Sequence, residues 1–234
     1  MDTATKTPDF SKYSVHYRDM DPATADRAQA SLDRRIEDYR LRLDLEKILP
    51  WIKGPDVLDF PIGTGRFYPN LIGSYNVYGY DIAGEYIRRA KKQNPQIADH
   101  FSACSFEEIN RSRSFDTIVT LRTLFNVKDT NLAVRNALSV LKPGGRWIFN
   151  YPPLGDTYPK LRGILEANGF TVLVQKPYDF HYGYSHFSRV GQKLHGYLLA
   201  LIERGLVPYF AFRTLEFLFG KFGTVLFVCE KTKS

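Results

Sequence analysis

Two carboxylates and two glycines carry the chemistry most open to this chain. Asp59 closes the short apolar run VLD, and Gly63 and Gly65 open the loop PIGTG behind it. Asp81 closes the next apolar run, YNVYGYD, 16 residues after Gly65. A glycine-rich turn lets a ligand approach the backbone, because no Cβ stands in the way. A carboxylate ending the second strand can accept both hydroxyls of a ribose. The competing reading of Asp81 is an acid at a helix N-terminus, favoured by the dipole. A pyrophosphate fits less well. Pro61 holds the first glycine position of the G-x-G-x-x-G fingerprint, and proline offers no N–H to a phosphate.

A second set of groups lies in DFHYGYSH: Asp179, His181, Tyr182, Tyr184 and His186. Histidine accepts protons near neutral pH. His181, Tyr182 and His186 are therefore the candidate catalytic residues, against the plainer reading of an ordinary packed loop. The two cysteines, Cys104 and Cys229, are far apart and in no C-x-x-C, so no metal site is expected.

Elements in alternation must position these groups. Leu32, Ile36, Tyr39 and Leu43 fall on one helical face within residues 21–52, and Gly54-Pro55 stops that helix. Strands are expected at 56–60, 75–80, 97–102, 114–121, 146–151 and 170–175, with GTVLFVCEK last. Helices are expected from 68 and over 84–93, 131–141 and 161–168, and Lys142–Gly145 reads as a sharp turn. Strand–helix repetition of this kind predicts an α/β fold, a parallel sheet with helices on both faces. Past residue 176 the rhythm changes to an aromatic loop and two apolar helices. On the first, Val190, Leu194, Leu198, Leu201 and Ile202 share a face. On the second, Pro208–Phe219, proline suits the first turn.

The chain has 234 residues and a net charge of +7. Residues 142–234 hold 12 Lys+Arg against 6 Asp+Glu, so most of the excess lies there. A basic aromatic region suits an anionic partner or a solvated face. The polar start of the chain has no apolar h-region and no long apolar run follows. The expected location is cytoplasmic, with peripheral membrane contact through 190–220 as a further expectation.

VLDFPIGTGR, YGYDIA, SFDTIVTLRTLFNV and LKPGGRWIFN, in this order and spacing, resemble class I S-adenosylmethionine-dependent methyltransferases of the type-11-like small-molecule group. The likeness runs over roughly residues 35–175. It implies a Rossmann-like, seven-stranded, mostly parallel sheet with an antiparallel last strand. It also implies one methyltransferase domain over 1–234: an N-terminal arm and helix (1–53), a cofactor core (54–176), a helical cap (177–222) and the last strand (223–231). The implied cofactor is S-adenosyl-L-methionine. Asp59 and the backbone from Pro61 through Gly63 to Gly65 would hold its amino-acid part. Asp81 would take the ribose hydroxyls and Ile82 would lie against the adenine. Ser102 and Ala103 stand where the family usually has an Asp-Ala pair, so Ser102 puts the adenine-amino contact in doubt. Leu121 and Arg122 would line the transfer site, and Asn126 stands where many members have histidine. Tyr13 and Tyr17 belong to a segment that often closes over the cofactor.

The implied activity is methyl transfer to a small-molecule or lipid-linked acceptor, at O or N. The family usually joins its last two strands by a short connection, whereas about 45 residues intervene here. They form either a lid or a surface for a bilayer or lipid-linked substrate; Glu203 and Glu216 weigh against the second. Two alternatives stand. NYPP at 150–153 is similar to, but ordered differently from, the N-P-P-Y type motif of base-methylating enzymes, which leaves a nucleic-acid acceptor as the less favoured partner. A protein that binds S-adenosylmethionine without turnover is the other.

Overall fold

The computed structural model describes residues 18–30, 34–109, 114–153, 155–179, 189–219 and 223–232. Two helices come first, α1 (Pro22–Ala30) and α2 (Arg34–Ile48). The single helix expected over 21–52 is thus two, and Pro50 turns its end into a 3-10 turn at Leu49–Trp51. The core then alternates: β1 (Asp56–Asp59), β2 (Asn76–Asp81), α3 (Gly84–Gln93), β3 (Phe101–Ala103), β4 (Phe115–Thr120), α4 (Thr130–Val140), β5 (Leu141–Tyr151), α5 (Tyr158–Ala167) and β6 (Phe170–Asp179). The cap helices α6 (Arg189–Glu203) and α7 (Tyr209–Phe219) precede β7 (Thr224–Lys231).

The seven strands form one sheet in the order β3-β2-β1-β4-β5-β7-β6. β7 runs antiparallel to both neighbours, and the other pairs are parallel. This is the mixed, doubly covered sheet that the sequence predicts. Period-2 alternation explains it. Leu58, Ile118, Trp147 and Phe149 face α4 and α5. Val57, Val119, Ile148 and Val228 face α2 and α3 through Ile48, Ile87 and Ala90.

Several local expectations are corrected. The helix expected from Tyr68 is only a 3-10 turn, Tyr68–Asn70, because Pro69 and Gly73 leave no room to propagate. The third strand begins at Phe101, preceded by a 3-10 segment from Pro95. Lys142–Gly145 is not a free turn: β5 already pairs Leu141 with Phe115, and the register then shifts. Gly145 is needed there, since a Cβ would sit 2.9 Å from the Lys142 carbonyl oxygen. β6 runs on to Asp179, held by β7.

The cap rests on α2. Ile36, Tyr39 and Leu43 on its far face pack against Ile202 of α6 and Phe212 of α7. The five residues expected to share one face of α6 divide between two environments. Ile202 and Leu198 turn inward, but Val190 and Leu194 are exposed and His195 is buried instead. Leu32 lies outside the described residues.

Candidate active site

The carboxyl ends of β1, β2, β4, β5 and β6 gather Asp59, Asp81, Arg122, Asn150 and Asp179 along one edge of the sheet. In an open α/β sheet this edge is where ligands bind.

The glycine loop follows β1. Gly63 has φ 51° and Gly65 φ 80°, values that side chains rarely tolerate. A Cβ on Gly63 would meet no atom of the described residues within 4 Å, which leaves that side of the loop open among them. Asp81 fixes the loop. Its Oδ2 accepts from the Gly63 N–H at 2.7 Å, and its Oδ1 from the Ala83 N–H at 2.8 Å, where α3 begins. Asp81 therefore does stand at a helix N-terminus. With a third backbone N–H, that of Ile82, also on the carboxylate, about one of its four lone-pair sites is left for a hydroxyl. Burial raises its pKa to about 6, despite backbone N–H bonds from Ala83, Gly63 and Ile82. Ser102 and Ala103 pair with Tyr80 and Asp81 in the parallel ladder, which sets them beside that carboxylate. Asp81→Ala is expected to weaken adenosyl-ligand affinity by about 10- to 150-fold, the value of hydrogen bonds to a charged group. Calorimetric titration with S-adenosylhomocysteine on folded variant reads it. An unchanged affinity would refute the ribose role.

Asp59 is buried at the end of β1 and accepts from the Tyr68 backbone N–H. Its Oδ2 is buried with no hydrogen-bond partner among the described residues. Burial pushes its pKa well up; nearby Arg66 pulls it down and the Asp81 charge adds to the rise. Arg66 belongs to the same loop. Its Nη2 donates to Asp44 at 2.8 Å and its Nε lies 3.4 Å from Glu37, while its Nη1 is buried and unpartnered among the described residues. An unmatched acceptor at the end of β1 and an unmatched cationic donor in the loop after it thus flank the glycine turn, and the charge of the second acts on the first.

Asp44 of α2 is the centre of the other half of the edge. Its side chain is fully buried. Arg122 grips it with two parallel bonds, Nη1 to Oδ2 and Nη2 to Oδ1, each 2.9 Å. Arg66 and the Tyr178 hydroxyl also donate to it. Burial alone would raise the Asp44 pKa, but Arg122 and Arg66 outweigh it and hold the pKa below the usual value. Arg122 follows β4 in a left-handed conformation, φ 58°, and its N–H donates to Asn150 Oδ1 at 2.5 Å. Asn150 in turn donates to Thr224 Oγ1 at 2.9 Å. Asp179, buried at the end of β6, lies 3.5 Å from Arg122 Nη2. Lys47 donates to the Tyr178 carbonyl and feels the charges of Glu216, Asp179 and Asp44.

Of the residues singled out from sequence, Asp59, Pro61, Gly63, Gly65, Asp81, Ile82, Ser102, Ala103, Leu121 and Arg122 come to this edge. Leu121 packs with the core under α2. Tyr17, His181, Tyr182 and His186 lie outside the described residues; Asp179 immediately precedes that segment. Asp44, Arg66 and Tyr178 were missed. A lone acid in a charged helix reads as solvated, and Arg66 looks like the end of a loop. The one available signal was Asp44's place beside Leu43 on the buried face.

Residues 58–149 match the model of a methyltransferase domain family. No curated protein matches. Among solved structures, the N-methyltransferase NodS from Bradyrhizobium japonicum, in complex with S-adenosylhomocysteine, is 15% identical, with 96% of this chain and 99% of that one covered and a TM-score of 0.52. A chain of the complex between the Haloferax volcanii Trm112 methyltransferase activator and a methyltransferase is 17% identical, covering 93% and 98%, TM-score 0.61. The [4+2]-cyclase SpnF is 18% identical, covering 86% and 81%, TM-score 0.54. At these identities the likeness is one of fold.

Proposed function

The chain carries a methyltransferase domain with the class I fold, and on that premise we propose that it transfers a methyl group from S-adenosylmethionine to a small-molecule or lipid-linked acceptor, at O or N. One observation supports this most: Asp59 Oδ2 and Arg66 Nη1 are both buried and unmatched among the described residues, and the Arg66 charge is felt by Asp59. Together they complement a zwitterionic amino acid, the chemistry of the methionyl end. Asp59 would hold the α-ammonium and Arg66 the α-carboxylate, under the open side of Gly63. Asp81 would hold a ribose hydroxyl. Ile82, Ser102 and Ala103 would border the adenine.

When bound, S-adenosylmethionine supplies a sulfonium methyl with its own leaving group. The protein's share is then position and exclusion of water, worth up to about 7–11 kcal/mol in favourable cases. Arg122, Asn150 and Asp179 wall the acceptor side. An acceptor protonated at working pH also needs a base. Asp179 and, next in the chain, His181, Tyr182 and His186 are placed by sequence to serve. Alanine replacement of all four should abolish turnover of such an acceptor while leaving S-adenosylhomocysteine binding intact. Turnover unchanged would remove them from the reaction.

Burial gives the cofactor side a pH dependence. Asp81 must be ionised to accept from a ribose hydroxyl at full strength, and burial raises its pKa to about 6. Asp59, raised in the same direction, must be ionised to meet an ammonium. The groups facing Asp59 are Arg66, Asp81, Asp44 and the Tyr68 N–H; those facing Asp81 are the N–H groups of Gly63, Ile82 and Ala83. Binding favours the charged forms, so affinity should rise with pH through 6; below 6 it should weaken by about tenfold per unit for the Asp81 proton, and more steeply where the Asp59 proton is taken up as well. Titrations of S-adenosylhomocysteine from acid to neutral pH read this; a flat profile would contradict it.

The reading without methyl turnover draws on SpnF, a fold neighbour whose name is that of a cyclase. The nucleic-acid reading draws less support. Asn150, the amide of NYPP, is fully buried and committed to Arg122 and Thr224. The deciding experiment supplies methyl-labelled S-adenosylmethionine and an extract of the source cells, then partitions the label. Label in organic or aqueous small molecules supports the proposal. Label in nucleic acid, or in nothing despite tight binding, overturns it.

A further inference from the structure

α6 and α7 turn one face onto α2 and leave the other uncovered among the described residues. On α6, Val190, Leu194 and Tyr197 recur at i, i+4 and i+7 and are 76%, 67% and 62% exposed. On α7, Phe210, Phe217 and Leu218 are 72%, 86% and 55% exposed. Exposed single apolar residues are ordinary; two helices that each carry a run of them are not.

The charges on these helices are sorted by side. Glu203 turns toward α2, where its Oε1 accepts from the Ile36 N–H at 2.9 Å. Glu216 is buried, 2% exposed. The exposed charged side chains among the described residues of the two helices and the turn between them are Lys193, Arg204 and Arg213, all cationic. Arg213 lies 3.3 Å from Glu46 of α2 and still keeps 64% of its side chain exposed. The two acids that weigh against a lipid surface in the sequence are therefore turned away from it.

We propose that the outward faces of α6 and α7 dock the protein on an anionic lipid bilayer. An apolar face flanked by cations is the signature of an interfacial helix, with aromatic and aliphatic side chains entering the headgroup region. No helix among the described residues is long and apolar enough to cross a membrane, so the contact is peripheral. A second copy of the chain suits the face less well. A twofold contact sets this patch against itself, and here its exposed charges are all cationic, so it offers no acidic partner for Lys193 or Arg204. The site edge lies on the inner side of the same cap, since α2 carries both Asp44 and the residues that pack on Ile202 and Phe212. A bilayer there would place amphiphilic acceptors near the acceptor wall.

The test uses the full chain and needs no turnover, so its outcome is separate from that of the methyl-transfer reading. Binding is measured by co-sedimentation with vesicles of phosphatidylcholine alone and of phosphatidylcholine with phosphatidylglycerol. The wild-type protein is expected on the anionic vesicles, and more weakly as salt rises. Leu194→Glu with Phe217→Glu should lower the partition coefficient roughly tenfold or more at unchanged thermal stability. Lys193→Glu with Arg204→Glu should lower it by at least about fivefold per residue. Should the apolar double variant lose its fold, Phe217→Ser alone gives the same reading. Wild-type protein that ignores anionic vesicles at low salt overturns the proposal, as does an apolar variant that binds like wild type. A wild-type dimer that Phe217→Glu makes monomeric also overturns it, in favour of a contact between copies.

Discussion

Asp44→Ala is expected to cost the fold about 3–5 kcal/mol, the usual consequence of removing one partner from a buried ion pair. The mechanism is specific. Asp44 accepts from Arg122, Arg66 and Tyr178 at once, in a place without water access to its carboxylate. Without it, the anion left to the Arg122 guanidinium among the described residues is Asp179, at 3.5 Å, beside the Tyr178 ring. Asp44→Asn should lose nearly as much, because it keeps the shape but not the charge. Asp44→Leu with Arg122→Met should recover part of the loss, since well-packed apolar replacements of a buried pair are often neutral. Urea unfolding of the wild type and the three variants reads these differences. A loss below about 1 kcal/mol for Asp44→Ala would mean that the cluster behaves like a surface pair.

The same residue shapes the acid limb of stability. Its folded pKa lies below its ordinary value of 3.8, so its contribution is present above that pH and is lost as pH falls through the folded pKa. Asp81 works the other way. Its folded pKa is about 6, so the folded state binds the extra proton and stability falls as pH rises from about 4 to 6. Asp44→Asn should flatten the first segment and leave the second.

Sheet and loop were legible because their signals are local. VLDF and YNVYGYD show apolar runs that end on acids, and PIGTG needs positive φ at Gly63 and Gly65. Their order along the chain carries the topology, and the resemblance supplied the antiparallel last strand. The misses are long-range. Asp44 meets Arg122 across 78 positions of sequence and Tyr178 across 134, and no periodicity encodes such pairs. Tyr68 opens only a 3-10 turn because Pro69 and Gly73 win over an apolar pattern that suggests a helix. Val190 and Leu194 follow the helical period of Leu198 and Ile202 but do not share their burial: the first two are exposed, while Ile202 is buried and Leu198 packs against the same cluster. Period locates a face; what covers that face depends on the rest of the chain. The buried His195 on the opposite side shows that hydropathy alone misplaces α6.

Asp59→Asn and Arg66→Gln should each weaken S-adenosylhomocysteine binding by about 10- to 150-fold, as expected for one charge-assisted hydrogen bond removed. Both residues could also act indirectly, through the Tyr68 N–H that Asp59 holds or the Asp44 carboxylate that Arg66 holds. A second ligand separates the two cases. Methylthioadenosine carries the same adenosine and lacks the amino acid. If Asp59 and Arg66 hold the ammonium and carboxylate, neither substitution should change its affinity by more than about threefold. Asp81→Ala should weaken both ligands alike, because the ribose is common to them. The variants should also be coupled. A zwitterion held at both ends loses its second contact more cheaply once the first is gone, so the double variant should fall short of the product of the single effects. Equal losses for the two ligands would assign Asp59 and Arg66 to the architecture of the loop, and the amino-acid end would need other partners.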